Sequence, residues 1–155
     1  MFREIERKFL LSSDAWRGKS QGRYLCQGYL SVNPDCTVRV RIAGDKAFLT
    51  IKGRNAGPVR TEFEYSIPLK EARAMLQELA QRPVIEKTRY NIPHEGFIWE
   101  VDEFHGENQG LLLAELELED ENQPFIRPDW IGEEVTGDPR YYNSNLATAP
   151  YKSWK

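Results

Sequence analysis

The 155-residue chain is poor in cysteine, in histidine and in long apolar runs. Its two cysteines, Cys26 and Cys36, are too few for a disulfide framework and belong to no metal-ligand spacing. No apolar stretch approaches the roughly 20 residues of a membrane span, and the N-terminal segment lacks the apolar core of a signal peptide. The net charge of -3 supplies no basic field for nucleic acid. We therefore expect a soluble cytoplasmic protein that binds neither a membrane nor nucleic acid.

The chain also lacks any sign of a protein nucleophile. No serine or cysteine stands beside a histidine in a motif, and His94 and His105 both lie among turn residues. No internal repeat and no low-complexity linker divides the sequence. Residues 1–155 are therefore expected to form a single domain with its own core.

What the sequence does contain is an alternation of charged and apolar residues. In the first segment, residues 1–10, Glu4, Glu6 and Lys8 share one face, because successive side chains of a strand point in opposite directions. Seven further segments are predicted as strands, and most of them carry charges on one face: 23–32, 37–42, 47–52, 61–65, 86–90, 97–104 and 114–119. Segments rich in glycine, proline and asparagine separate them and predict turns.

The charges are sorted by sign, strand by strand. Arg39 and Arg41 share one face of their segment, whereas Glu62 and Glu64 share one face of theirs. An antiparallel sheet with one wet face also produces alternation, but like charges two residues apart repel each other and bring a surface no benefit. The opposite faces are aromatic and branched enough to be buried. Both features favour charged faces that point into the protein.

Eight strands and few helices indicate a mainly β (α+β) fold, a closed eight-stranded antiparallel barrel. The interior of such a barrel has room for side chains or one small ligand. Segment 68–80 predicts a helix that packs outside the barrel through an apolar stripe at helical spacing, formed by Leu69, Ala72, Leu76 and Leu79. Short helices are expected at 13–16 and 143–147. The C-terminal segment is expected to help cover the outer faces.

A charged lumen must be wet and must hold a charged guest, because buried charges are costly unless they are paired, hydrated or bound. The inward basic side chains would be Lys8, Arg39, Arg41, Lys52, Lys87 and Arg89. The inward acidic side chains would be Glu4, Glu6, Glu62, Glu64, Glu100, Asp102, Glu115, Glu117 and Glu119. Basic residues from several strands suit phosphates, and carboxylates without histidine or cysteine suit Mg²⁺ or Mn²⁺. The pattern points to a metal-bound triphosphate in a tunnel.

The segment Glu4-Ile5-Glu6-Arg7-Lys8 resembles the N-terminal ExExK signature of the CYTH superfamily, the triphosphate tunnel metalloenzymes. This string alone is weak, but it is followed by further family-like blocks in order, which are Arg39-Val40-Arg41, Lys52, Glu62-Phe63-Glu64, Lys87-Thr88-Arg89, Asp102 and Glu115-Leu116-Glu117. The resemblance spans roughly residues 2–119. It implies a tunnel barrel and chemistry on triphosphates that depends on Mg²⁺ or Mn²⁺.

The resemblance also implies a role for each residue that matches. The metal ligands by position are Glu4, Glu6, Glu115 and Glu117. The phosphate clamp consists of Lys8, Arg39, Arg41, Lys52, Lys87 and Arg89. The residues that orient the clamp or hold the waters of a second metal are Glu62, Glu64 and Asp102. Those expected to take a direct part in catalysis are Glu4, Glu6, Lys8 and Lys87. The roles of Glu100 and Glu119 stay open.

Three reactions remain open: hydrolysis of inorganic tripolyphosphate to pyrophosphate and phosphate, hydrolysis of thiamine triphosphate or a nucleotide, and cyclisation of ATP. An organic group needs an apolar wall, for which weak candidates are Tyr24, Tyr29, Trp99 and Tyr141. Tyr29 is also a candidate for excluding a bulky leaving group. Compact loops and the resemblance to short bacterial members favour the inorganic substrate.

A protein that binds polyphosphate without catalysis is the alternative from another class. Such a binder would need the clamp but not the metal carboxylates, so their presence favours the enzyme. The sequence leaves the oligomeric state open, and a homodimer is compatible with it.

Overall fold

The computed structural model describes residues 2–154. Met1, predicted as part of the first strand, and Lys155 lie outside the described residues. Eight strands form the barrel: β1 (Arg3–Leu11), β2 (Gly22–Asn33), β3 (Cys36–Ala43), β4 (Lys46–Lys52), β5 (Val59–Ile67), β6 (Ile85–His94), β7 (Phe97–Phe104) and β8 (Leu112–Leu118). All neighbours are antiparallel in the order β1-β5-β4-β3-β2-β6-β7-β8, and the pairing of β8 with β1 closes the barrel. The predicted closed eight-stranded barrel is confirmed.

A ninth strand, β9 (Ile131–Glu134), continues the hydrogen bonding of β1. The first part of β1 pairs with β5, and the later residues Phe9 and Leu11 pair with β9. This strand is only four residues long and lies in a segment of mixed composition. Its sequence therefore carries too little alternation to predict a strand.

Two α-helices accompany the barrel, α1 (Leu69–Glu78) and α2 (Asn143–Leu146), together with single 3₁₀ turns at Gly106–Asn108, Pro139–Tyr141 and Tyr151–Ser153. The helix expected at 13–16 is wrong. The amide of Arg17 donates to the carbonyl of Asp14 in a turn, and Gly18 follows with a positive φ of 80°, so no regular helix is propagated. No helix within residues 2–154 has the length and apolar character needed to cross a bilayer.

Helix α1 packs outside the barrel, as predicted, and covers the outer face of β2, β3 and β4. Its buried residues Ala72 and Leu76 pack in one cluster with Val40 of β3. Gly28 of β2 permits this approach, since a Cβ there would lie 2.9 Å from the Leu76 side chain. Leu79 was expected in the same stripe but is 66 % exposed. The helix ends at Glu78, and the non-helical backbone of Leu79 turns its side chain away.

The outer face of β1, β7 and β8 is buried under the segments that flank the barrel. Phe9 and Trp99 lie at the centre of this cluster, and their rings are 5.4 Å apart. Trp16 and Trp130 cover them from the turn after β1 and the segment before β9. Trp130 is therefore docked onto the outer face of the barrel.

The inner face is not charged along its whole length. On β6 the inward row runs from Arg89 and Lys87 to Ile85, and on β7 it runs from Asp102 to Phe104. The inward rows of β1 and β8 likewise become apolar. We call the resulting cluster the apolar end, which contains Ile85, Phe104, Leu111, Leu113, Val135, Tyr141, Leu146 and Ala147. Much of the C-terminal segment, expected on the outer faces, thus packs into this end of the barrel.

Candidate active site

The charged inner faces line a cavity of about 260 Å³, which we call the charged cavity. Seven basic side chains line it: Lys8, Arg39, Arg41, Lys52, Arg60, Lys87 and Arg89. Seven carboxylates line it as well: Glu4, Glu6, Glu62, Glu64, Glu100, Glu115 and Glu117. The barrel therefore brings together all six basic residues predicted from the sequence. Of the predicted acidic residues, Asp102 and Glu119 do not belong to the lining.

Asp102 lies behind the lining and holds two basic side chains. One carboxylate oxygen lies 2.7 Å from Lys87 Nζ, and Arg89 donates to both oxygens at 2.7 and 2.8 Å. Burial lowers the pKa of Lys87 to about 7, and the nearby charges of Arg89 and Arg41 add to this effect, which Asp102 offsets only in part. Arg89 reaches further to Glu115 at 3.0 Å.

The other ion pairs connect neighbouring strands of the barrel. Lys8 Nζ lies 3.3 Å from Glu115 and donates to the carbonyl oxygen of Tyr141 at 3.0 Å. Lys52 of β4 lies 2.9 Å from Glu4 of β1 and 3.4 Å from Glu62 of β5. Each lysine is thus held by strands other than its own.

Arg39 is positioned through a short hydrogen-bonded chain. Its guanidinium donates to Thr50 Oγ1 at 3.1 Å, and the Thr50 hydroxyl donates to Glu64 at 2.8 Å. Glu64 itself lies 3.6 Å from Arg39. The Nε of Arg39 is buried and has no hydrogen-bond partner among the described residues. A buried donor without a partner inside a charged cavity is suited to bind an incoming anion.

Arg41 and Lys87 are connected by a polar bridge formed by Gln27 and Asn143. Arg41 Nε donates to Gln27 Oε1 at 2.7 Å. The Asn143 Oδ1 accepts from Gln27 Nε2 and from Lys87 Nζ, each at 3.1 Å. Burial and the charges of Arg39 and Arg89 lower the pKa of Arg41 to about 9. Helix α2 thereby contacts Lys87 directly and Arg41 through Gln27.

Three carboxylates converge on one point of the cavity. Oxygen atoms of Glu6, Glu100 and Glu115 all lie within 4.8 Å of one another, a spacing that suits a shared metal ion. Burial and the charges of Glu115 and Glu4 raise the pKa of Glu6 well above its usual range. Burial alone would also raise the pKa of Glu115, but Lys8 and Arg89 hold it below its usual value.

The remaining candidates from the sequence lie at different depths. Glu4 and Glu117 line the cavity but do not belong to the three-carboxylate cluster, and Glu117 is exposed. Glu119 follows the end of β8 and is exposed outside the cavity, so its expected inward position is wrong. The strand ends at Leu118, and the alternation therefore no longer determines which way residue 119 points.

Of the four aromatic residues considered as a wall for an organic group, only Tyr29 lines the cavity. Tyr24 is 51 % exposed, Trp99 belongs to the outer cluster, and Tyr141 belongs to the apolar end. The lining also receives Tyr142 from the C-terminal segment. Charged side chains therefore dominate the cavity, with little apolar surface for a base or a thiazole ring.

A comparison with protein families assigns this architecture. The model of the CYTH domain matches residues 3–144, which is nearly the whole chain. The chain belongs to the CYTH-domain family. The resemblance seen in the sequence motifs is thereby confirmed.

This CYTH domain is similar to proteins named inorganic triphosphatase. One from Acetivibrio thermocellus is 55 % identical over 155 residues, which cover 100 % of this chain and 99 % of the relative. One from Nitrosomonas europaea is 40 % identical and covers 93 % of this chain and 96 % of the relative. A crystal structure of an inorganic triphosphatase superimposes with a TM-score of 0.66 at 38 % identity, covering 92 % of this chain and 96 % of that chain.

Several residues of this CYTH domain line the site without having been predicted. Arg60 shares the inward face of β5 with Glu62 and Glu64, and extending the predicted strand by one residue would have found it. Thr136 and Asn143 come from the segment after β9. No local pattern marks those two, because their contact with the cavity depends on how the C-terminal segment packs.

Proposed function

We propose that the protein hydrolyses inorganic tripolyphosphate to pyrophosphate and phosphate inside the charged cavity. The observation that carries this proposal is the convergence of seven basic side chains and a three-carboxylate cluster on one small volume. At about 260 Å³ the cavity lies just below the roughly 300–1,000 Å³ of typical ligand pockets, and a compact polyanion matches both its size and its charge. The names of the relatives agree with this substrate.

A divalent metal is part of the proposal. Clustered carboxylate oxygens without nitrogen or sulfur ligands suit the hard cations Mg²⁺ and Mn²⁺. Glu6, Glu100 and Glu115 would hold the ion, since their oxygens already lie close together. The raised pKa of Glu6 fits this role, because a neighbouring cation would favour its ionised form. A divalent ion held there would supply positive charge to neutralise the phosphate oxygens of the substrate.

Glu4 and Glu117 complete the set of ligands predicted from the sequence. Both face the charged cavity, where partial loss of hydration and the neighbouring Glu4 and Glu100 raise the pKa of Glu117. Repulsion between these carboxylates is relieved by a cation, so their presence supports a strongly cationic guest beside the substrate. Their direct contact with the ion is a prediction that variants of each residue can test.

The clamp residues bind and orient the triphosphate. Arg39, Arg41 and Arg89 can donate paired hydrogen bonds to phosphate oxygens, whereas Lys8, Lys52 and Lys87 contribute compact positive charge. Asp102, Glu62 and Glu64 hold members of this clamp through ion pairs, which is the supporting role predicted for them. Because the donors are held before substrate arrives, little reorganisation is needed in the transition state.

The reaction transfers a phosphoryl group to water. The oxygen of water forms a bond to the terminal phosphorus, the bond from that phosphorus to its bridging oxygen breaks, and pyrophosphate leaves. Lys87 lines the cavity, and its pKa, lowered to about 7, suits it to exchange a proton with the attacking water. Burial opposes the charged form of Lys8, but Glu115 and Glu6 raise its pKa and keep it protonated. Lys8 therefore remains a fixed positive charge.

The test is phosphate release from tripolyphosphate, ATP and thiamine triphosphate in parallel, each with Mg²⁺, Mn²⁺ or EDTA. We expect release from tripolyphosphate that requires the metal and little release from the two organic substrates. Turnover of ATP in place of tripolyphosphate would contradict the proposal. Formation of pyrophosphate and cyclic AMP would then identify a cyclase, and tight binding without turnover would identify a polyphosphate-binding protein.

A further inference from the structure

The basic residues of the charged cavity differ in whether a carboxylate neutralises them. Five of the seven form an ion pair, namely Lys8, Arg39, Lys52, Lys87 and Arg89. Within residues 2–154, Arg41 and Arg60 are the two that line the cavity without such a pair. Arg41 was predicted as part of the clamp. Arg60 was not predicted to have a role, yet like Arg41 it lies in the cavity without a carboxylate that neutralises its charge.

Arg60 is held in place by neutral oxygen atoms. Its Nε donates to the carbonyl oxygen of Gly53 at 2.6 Å, and its Nη2 donates to Thr37 Oγ1 at 3.2 Å. These two contacts orient the guanidinium without reducing its charge. No described residue accepts a hydrogen bond from Nη1, so at least one donor group is available for another acceptor.

The neighbour of Arg60 across the sheet does not neutralise it either. Glu4 of β1 lies directly opposite in the register, but the Glu4 carboxylate contacts Lys52 at 2.9 Å. Next to Arg60 the loop between β4 and β5 contributes Asn55, Gly57 and Pro58 to the lining. This side of the cavity therefore presents one oriented positive charge beside three uncharged lining residues of the loop.

We propose that Arg60 is a phosphate-binding residue that extends the clamp towards the loop between β4 and β5. The proposal rests on the proposed function, since it takes the substrate to be a polyphosphate. The fixed guanidinium donates to oxygen atoms of the phosphate on the loop side of the cavity. Its contribution is to substrate binding, because the guanidinium contacts Gly53 and Thr37 and makes no hydrogen bond or ion pair with the three-carboxylate cluster.

The experiment compares Arg60→Gln and Arg60→Lys with the wild type and with Arg54→Gln. Arg54 is the matched control because it carries the same charge in the loop that precedes the strand of Arg60, but it is exposed, contacts Asp35 and does not line the cavity. Binding of tripolyphosphate is measured by calorimetry in EDTA, where no turnover occurs. KM and kcat are measured with the metal, and the melting temperature is measured without ligand.

We expect Arg60→Gln to weaken tripolyphosphate binding and to raise KM by about 10- to 100-fold, the range for losing a hydrogen bond between charged groups. We expect a much smaller change in kcat and no comparable change in the Arg54 variant. Arg60→Lys should recover part of the loss, because the charge remains while the planar donor geometry does not.

Three results would overturn the inference. The first is Arg60→Gln with Kd and KM close to those of the wild type. The second is an equal loss in the Gln and Lys variants together with a lower melting temperature, which would show that Arg60 only anchors Gly53 and Thr37. The third is a wild-type protein that does not bind tripolyphosphate, which would overturn the proposed function as well. A wild type that binds but does not hydrolyse it would contradict the proposed function alone, and the EDTA titrations would still decide the role of Arg60.

Discussion

The charged cavity and the apolar end are two interiors built by the same strands. On β6, Lys87 and Ile85 lie two residues apart on the same inward face, and both are almost fully buried. The apolar end stabilises the barrel because it removes apolar surface from water. The charged cavity does the opposite, since ionised groups lose hydration there. The interior of this barrel can therefore be packed with apolar side chains. The fold does not require the charged groups of the cavity, which are explained by a ligand.

The pKa shifts in the two kinds of charged group support this contrast. Burial and neighbouring carboxylates raise the pKa of Glu6, whereas burial and neighbouring arginines lower the pKa of Lys87. Both shifts favour the neutral form, so each group strains the folded protein while it is charged. A polyanion with a metal supplies the opposite charges and should stabilise the folded state through binding.

The largest effect is expected where a carboxylate of the three-residue cluster is made neutral. Glu6→Gln should reduce metal-dependent phosphate release by at least about 100-fold, comparable to the loss of one essential electrostatic group in an active site. The metal-free variant should unfold at the same or a higher temperature than the wild type, because a strained carboxylate has been removed. Steady-state kinetics and thermal unfolding, with and without Mn²⁺, measure the two effects.

Glu119→Gln is the matched control for that experiment, because Glu119 is an exposed glutamate beyond the end of β8. It should leave both the rate and the metal-induced rise in melting temperature almost unchanged. Full activity of the Glu6 variant, or an equal loss in the Glu119 variant, would contradict the location of the metal site.

A substitution in the apolar end should reduce stability and largely preserve activity, which is the opposite of the result expected for the Glu6 variant. Leu111→Ala should lower the free energy of unfolding by about 2–5 kcal/mol, since Leu111 is 3 % exposed and packs in the apolar end. The activity of the folded fraction should change only a few-fold. Denaturant unfolding measures the first quantity, and Leu79→Ala serves as the exposed control. A loss of activity without a loss of stability would show that the two interiors are not separable.

A pH experiment sharpens the comparison. The pKa of Lys87 is about 7 in the folded protein and about 10.4 in an unfolded chain, so between these values the unfolded state binds the additional proton and stability rises with pH. Relative to Lys87→Met, the wild type should therefore gain a few kcal/mol of unfolding free energy between about pH 7 and pH 10, at about 1.4 kcal/mol per unit of pKa shift. Below pH 7 the difference should be constant. Parallel stability curves across this range would refute the assignment.

The smallest effect concerns the polar bridge that connects Arg41 and Lys87. Asn143→Ala removes the acceptor shared by Lys87 and Gln27 and should reduce kcat/KM about tenfold, as expected for the loss of one hydrogen bond to a charged group. The pH dependence of the rate should also shift, because the surroundings of Lys87 change. The control is Asn145→Ala. Asn145 lies in the same helix, and the hydrogen bond described for its side chain is donated to the Pro139 carbonyl. Identical losses in both variants would indicate a general disturbance of α2.

The sequence predicts the charged cavity better than it predicts the apolar end. Period-two alternation places side chains such as Arg39 and Glu64 on the inner face wherever a strand is regular. It fails where strands end, as for Glu119, or begin earlier than predicted, as for Arg60. The alternation also does not predict which carboxylates lie close together. Glu100, whose role the sequence left open, joins Glu6 and Glu115 because β7 and β8 place residues 100 and 115 opposite each other and β1 follows β8.

What the sequence by itself determined is the alternation, and with it the strands, the sorted charges and the family to which the chain belongs. These properties are local, since they follow from side-chain spacing and from motifs of a few residues. Only the tertiary structure decided which charges pair, which carboxylates converge on one point and which cations stay uncompensated. The same holds for the C-terminal segment, whose Asn143 reaches Lys87 across 56 positions of the chain. Such contacts depend on strand order and packing, which no local pattern encodes.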